Sequence, residues 1–150
     1  MGLDMFLTKR THVYHYGAHD TSPQASVTYP GVRSERVSDI TERMGVWRKA
    51  NAIHQWFVDN VQDGEDDCRE AHVEVDQLRK LMDAVNQVLE DRTLAPTLLP
   101  TQGGFFFGSL DYDQYYFEDL ELTQQICKNA ITESESDGSG MSEYIYQSSW

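Results

Sequence analysis

Residues 39–62 read DITERMGVWRKANAIHQWFVDNVQ, and the way this stretch folds decides the architecture. Its apolar residues Ile40, Met44, Val46, Trp47, Ala50, Ile53, Phe57, Val58 and Val61 recur at helical spacing in a wide stripe. A stripe of that width marks a helix packed on more than one side. Ser38 or Asp39 can serve as its N-cap, although Ser38 stands four residues before Glu42 and misses capping-box spacing. The spacing therefore predicts one long helix over about 39–61. Positions 47, 51, 54 and 58 share a ridge of such a helix. Asn51 and His54 then point inward between Trp47 and Val58, with Arg48 on the flank. Both side chains need partners, because an unsatisfied buried polar group costs about 1–3 kcal/mol.

Outward from this stretch, DMFLTKRTHVYHY alternates loosely and is rich in Thr, Val, Tyr and Phe, which predicts a strand over Asp4 to Tyr16. GAHDTSPQA is a turn-rich loop, and SVTYPG is a short second strand or an edge. QDGEDDCRE is an acidic loop, and AHVEV a short strand. Asp76 then caps a helix carrying Leu78, Leu81, Met82, Val85, Val88 and Leu89. Pro96 and Pro100 break that helix. GGFFFGS, bracketed by glycines, reads as a buried strand. A third helix follows, with Asp111 and Gln114 at capping-box spacing and Leu120, Cys127, Ala130 and Ile131 on its buried face. The Ser/Gly-rich stretch near 133–142 reads as a flexible connection. The aromatic segment 144–150 is expected to return to the body as an edge strand or in a groove. The sum is an α+β fold: one domain over 1–150, with a small, mostly antiparallel sheet packed with three helices.

Hydrophobic residues make up 39% of the 150, enough for a real core, so disorder throughout is excluded. No apolar run approaches the ~20 residues of a membrane helix, and no secretory signal is visible. Cys68 and Cys127 form no CxxC pair and read as reduced thiols. The net charge of −13 is uneven. Residues 1–60 carry seven Lys or Arg against six Asp or Glu (+1), and residues 61–150 carry five against nineteen (−14). An acidic half argues against direct nucleic-acid binding and for a protein partner with a basic surface. Its densest part, Asp63, Glu65, Asp66, Asp67 and Glu70, is the candidate interaction surface.

The candidate polar site is Arg48, Asn51 and His54, with Trp47 or Trp56 as a wall and Tyr112, Asp113 and Tyr116 of the third helix opposite. There Arg48 would hold an anion, Asn51 would donate a hydrogen bond and His54 would move a proton. The same residues would equally make a hydrogen-bond network that fixes helix register. No nucleophile or second base stands at a diagnostic spacing, which leans away from an enzyme. On a strand His12 and His15 face opposite sides, so HxxHxxxHD is not a metal motif. The DGEDD cluster does not complete a calcium loop. No phosphate loop, GxSxG or HExxH is present, and no motif calls for a cofactor.

MGLDM, VWRKANAIHQWFVDNVQ, GEDDC, LLPTQGGFFFGS with DYDQYY, and YQSSW together resemble a family of uncharacterised small proteins of bacteriophages and prophages. The resemblance spans most of the chain and transfers no catalytic role. It implies a viral accessory protein in the host bacterial cytoplasm. With the charge, it leads to the expectation of a small acidic protein that binds and inhibits a host or anti-phage defence protein. In that role it would present carboxylates where a basic cleft expects phosphates. The alternative is a small enzyme or ligand-binding domain built on the Arg48, Asn51 and His54 site.

Overall fold

The computed structural model describes residues 2–14, 28–138 and 140–150. Among these the chain runs β1 (Asp4–His12), β2 (Asp39–Arg48), α1 (Asn51–Val61), β3 (Ala71–Val73), α2 (Val75–Glu90), α3 (Ala95–Leu98), α4 (Gln114–Ser136) and β4 (Ser142–Ser149). The strands form one antiparallel sheet in the order β2-β1-β4-β3. The fold is α+β as expected, with a fourth, four-residue helix at α3.

One face of the sheet is apolar and carries the helices. Leu3, Met5, Leu7, Trp47, Tyr144 and Tyr146 are buried there. The Tyr146 ring stacks on Phe57 of α1 at 3.9 Å between centroids. Trp47 Nε1 donates to the Thr123 hydroxyl of α4 at 2.8 Å, and the Tyr144 hydroxyl donates to the Ala130 carbonyl of α4 at 2.8 Å. Helix α4 packs along α2, whose Leu78, Leu81, Val85 and Val88 are buried. On the opposite face Arg10, His12 and His72 all approach Glu143.

The predicted helix over 39–61 is a strand followed by a helix. β2 pairs with β1, and a bulge between Leu7 and Thr8 leaves Met44 without a partner in the register. Gly45 and Trp47 lie opposite Leu7 and Met5, whereas Ile40 and Glu42 lie opposite Thr11 and Lys9. The extra residue resets the two-residue alternation. Ile40, Met44 and Trp47 are thereby left at the i, i+4, i+7 spacing that imitates a helix. The chain turns from strand to helix at Lys49, which has φ 58°.

Other boundaries also shift. β1 ends at His12 rather than near Tyr16, and positions 15–27 lie outside the described residues, including the start of the expected SVTYPG strand. The described part of that segment is a turn, with the Val32 N–H donating to the Tyr29 carbonyl at 3.0 Å. The cap of α2 is Glu74, not Asp76, and the Gln77 amide oxygen accepts from the Glu74 N–H at 2.8 Å. The cap of α4 is Asp113, not Asp111, its carboxylate accepting from the Tyr116 N–H at 3.0 Å. GGFFFGS is a loop rather than a buried strand, and Phe105 is 95% exposed. Helix α4 continues to Ser136 into the expected 133–142 connection. The C-terminal segment is a strand as foreseen, yet it lies between β1 and β3 rather than at an edge. No helix among the described residues is long and apolar enough to cross a membrane.

Gly45 sits beneath α4, and a Cβ there would meet three side-chain carbons of Ile126 at 2.5–2.9 Å. The missing side chain lets the helix approach β2. Gly45→Ala is expected to cost about 1–3 kcal/mol by overpacking. Adding Ile126→Val should recover part of that loss, measured by urea denaturation of the single and double variants.

Candidate functional site

The residues of the predicted polar site divide among different places. Asn51, at the start of α1, is buried and holds the loop 101–110 from three directions. Its Nδ2 donates to the carbonyls of Phe107 and Ser109 at 2.9 and 2.8 Å. Its Oδ1 accepts from the Gln102 N–H at 2.9 Å. Gly108 closes this loop against α1 with φ 86°, and a Cβ there would stand 3.1 Å from Lys49 Cβ. The Tyr112 hydroxyl accepts from the Thr101 N–H at 3.2 Å, and the Tyr116 hydroxyl donates to the Leu99 carbonyl at 2.7 Å.

His54 lies elsewhere, fully buried between Tyr146 and the acidic loop. Its Nδ1 is 2.7 Å from the Tyr146 hydroxyl and its Nε2 2.9 Å from Asp66 Oδ2. A neutral imidazole satisfies both, with Nε2–H donating to the carboxylate and Nδ1 accepting from the phenol. The partners are a Tyr and an Asp, as the residue types suggested, but they come from β4 and the loop rather than from the third helix. Trp47 is bonded to Thr123, away from both places.

A cavity of about 310 Å³ opens between the N-terminus of α1, loop 101–110 and the start of α4. Arg48, Asn51, Asp113 and Tyr116 line it, and so do Lys49, Ser109, Asp111, Tyr115, Glu118 and Asp119. One wall is electropositive. It carries Arg48, which lies 3.9 Å from Asp4 and is 70% exposed, and Lys49. The first turn of α1 stands beside them without a side-chain cap. The Asn51 and His54 N–H groups bond to the Lys49 and Ala50 carbonyls, and those of Ala52 and Ile53 form the open end of the helix. Lys49 holds a left-handed conformation that costs a non-glycine residue on the order of 1 kcal/mol.

The other wall is acidic. Asp113 is engaged as the α4 cap, but the Asp119 carboxylate has no hydrogen-bond or ion-pair partner among the described residues. Burial, then the neighbouring Glu118 and Asp113, push the Asp119 carboxyl up to about 6. Sequence reasoning missed Lys49 and Asp119. The predicted helix made Lys49 one turn residue among many, and Asp119 carries no spacing signal beside Leu120.

The predicted acidic surface is largely paired within the chain. Glu65 and Asp67 contact Arg69 at 3.0 and 3.2 Å, and Glu70 contacts Arg10 at 3.2 Å. Asp66 accepts from Trp150 Nε1 at 3.0 Å as well as bonding to His54. Asp63 is in a left-handed turn with φ 56°. Among the described residues no three His, Cys, Asp or Glu side chains are placed to hold a metal ion.

The chain was compared with known proteins, and no family model, curated protein or solved structure matches it.

Two outcomes follow from this geometry. His54→Leu strands the buried Tyr146 hydroxyl and is expected to cost about 2–3 kcal/mol. Tyr146→Phe on that background should recover part of the loss, a coupling that a double-mutant cycle measures. Asp119 binds its proton more tightly folded than unfolded, so its contribution to stability declines as pH rises from about 4 through about 6. Asp119→Asn should therefore stabilise the protein by on the order of 1 kcal/mol at pH 7.5 and do nothing at pH 3.5, read from urea midpoints at both pH values.

Proposed function

We propose that the protein binds a small polar molecule in the cavity between the α1 N-terminus and the start of α4. One observation carries the reading: a concave site whose walls hold charges without partners among the described residues, Lys49 on one side and Asp119 on the other. Its volume is at the lower end of the range for ligand pockets. Stability is lost at its rim, in the strained Lys49 backbone and the uncapped helix, which is the pattern of a site kept for binding.

The test is ligand screening by ¹H–¹⁵N correlation spectra with a library of small polar metabolites. A binder should shift the amides of residues 49–53 and 113–119 and raise Tm in proportion to its concentration. Hits that shift only other parts of the molecule would overturn the reading.

A second reading rests on the net charge of −13. An acidic accessory protein of phage origin, acting in the bacterial cytoplasm, would bind and block a host or defence protein through a basic surface. Glu65, Asp67 and Glu70 already face Arg69 and Arg10, so charge reversal there would also break those exposed pairs. Reversal at the exposed Asp83, Glu90 and Glu121 leaves those pairs intact. This reading predicts that the triple variant loses a stoichiometric partner recovered from host lysate at physiological salt. A partner retained in full would count against it.

A further inference from the structure

We infer that the molecule bound in this cavity is a zwitterion of the free amino acid type. Its carboxylate would face the α1 N-terminus and Lys49, and its ammonium would face Asp119. The inference rests on the cavity being a ligand site and names what that site takes.

The argument is one of exclusion by charge. A simple anion such as phosphate would gain from Arg48, Lys49 and the open N–H groups of α1, yet would lie against Asp111, Asp113, Glu118 and Asp119 in the same small space. A simple organic cation would meet the reverse conflict at Lys49 and the positive end of the helix. A metal ion does not fit the acidic wall, because no three of its carboxylates converge among the described residues. A neutral polar molecule would hydrogen-bond to Asp119 and Lys49 but neutralise neither charge. A ligand with opposite charges a few bonds apart satisfies both walls at once.

The acidic wall favours an ammonium donor over a second acid. Asp113 uses one carboxylate oxygen to cap α4, and among the described residues Asp119 uses neither, so Asp119 has acceptor capacity at the cavity wall. Burial pushes the Asp119 carboxyl up, and an ammonium beside it would favour the ionised form. Tyr115, 75% exposed on the rim, offers an aromatic face to the rest of the ligand. Lys49 provides a separate handle. Glycine adopts its backbone angle without strain, so removing this side chain need not harm the fold.

The experiment titrates the ¹⁵N-labelled full chain with the free protein amino acids one at a time. Each binder is then compared with its N-acetyl and C-amide derivatives. The expected result is that at least one free amino acid shifts the amides of 49–53 and 113–119, and that each derivative binds at least about tenfold more weakly. Lys49→Gly should weaken binding to a similar degree with its urea midpoint unchanged or raised, which a purely structural role for Lys49 would not produce. Binding should tighten as pH rises from 5 to 7.5 and lose that dependence in Asp119→Asn. Derivatives that bind as well as the free amino acid would overturn the inference. Shifts of these amides by anions or polyols alone would overturn it while leaving the ligand site in place. No shift of these amides by any polar compound would remove both.

Discussion

The buried amide of Asn51 is the constraint on which the site depends. Loop 101–110 has no regular structure of its own, so its carbonyls and N–H groups must find partners outside a helix or ladder. Asn51 supplies three of them, binding Gln102, Phe107 and Ser109 from a position fixed by the first turn of α1. An aspartate there would turn two donors into acceptors facing carbonyls. A leucine would remove all three bonds and leave these partly exposed groups to water. The amide thus fixes the loop against the helix start, and both line the cavity. The polar residue on an apolar helix is a brace, and the brace creates the open space beside it.

His54, three residues later, is the same kind of residue used for a different end. Both its nitrogens are occupied, and it ties β4 through Tyr146 and the acidic loop through Asp66. Asp66 also accepts from Trp150, so the C-terminal strand is held at two points by one carboxylate and one imidazole. This explains why part of the densest acidic segment serves the interior. Glu65, Asp67 and Glu70 are likewise in ion-pair contact with Arg69 and Arg10. Local charge density in a sequence counts carboxylates but not the cations that folding brings to them.

The legible parts of the fold were those where local pattern and tertiary environment agree. Helix α2 repeats Leu78, Leu81, Val85 and Val88 on one buried stripe, and the β4 segment alternates Tyr144, Tyr146 and Ser148 inward. The stretch over 39–61 misled because a bulge at Met44 shifts the strand period by one residue, and three apolar side chains then fall at helical spacing. Gly45 carried a contrary signal, since glycine inside a helix is unfavourable by about 1 kcal/mol relative to alanine. Its role became visible only with Ile126 lying against it. GGFFFGS misled for another reason: apolar content implied burial, but Phe105 is held out by a loop whose shape Asn51 and Gly108 dictate. The polar site was half legible. Arg48, Asn51, Asp113 and Tyr116 do share a cavity, and His54 and Trp47 left it when the single helix became a strand and a helix.

Several departures from local rules gather around one cavity. Helix α2 has Gln77 reaching back to its cap and helix α4 is capped by Asp113, whereas helix α1 begins at Ala50 with no side chain to accept its N–H groups. The residue before it, Lys49, sits in a conformation that glycine would adopt more cheaply. Across the cavity, Asp119 is half-buried without a partner among the described residues, whereas Glu70, Glu65 and Asp76 are paired with Arg10, Arg69 and Arg79. Each feature alone is a small loss of stability with an ordinary explanation. Together they surround one cavity and have opposite electrical signs on its two sides. A sequence free to optimise stability would cap the helix, place glycine at 49 and asparagine at 119. Retaining the costlier residue at all three points makes physical sense when a bound molecule completes the hydrogen bonds that the chain leaves open.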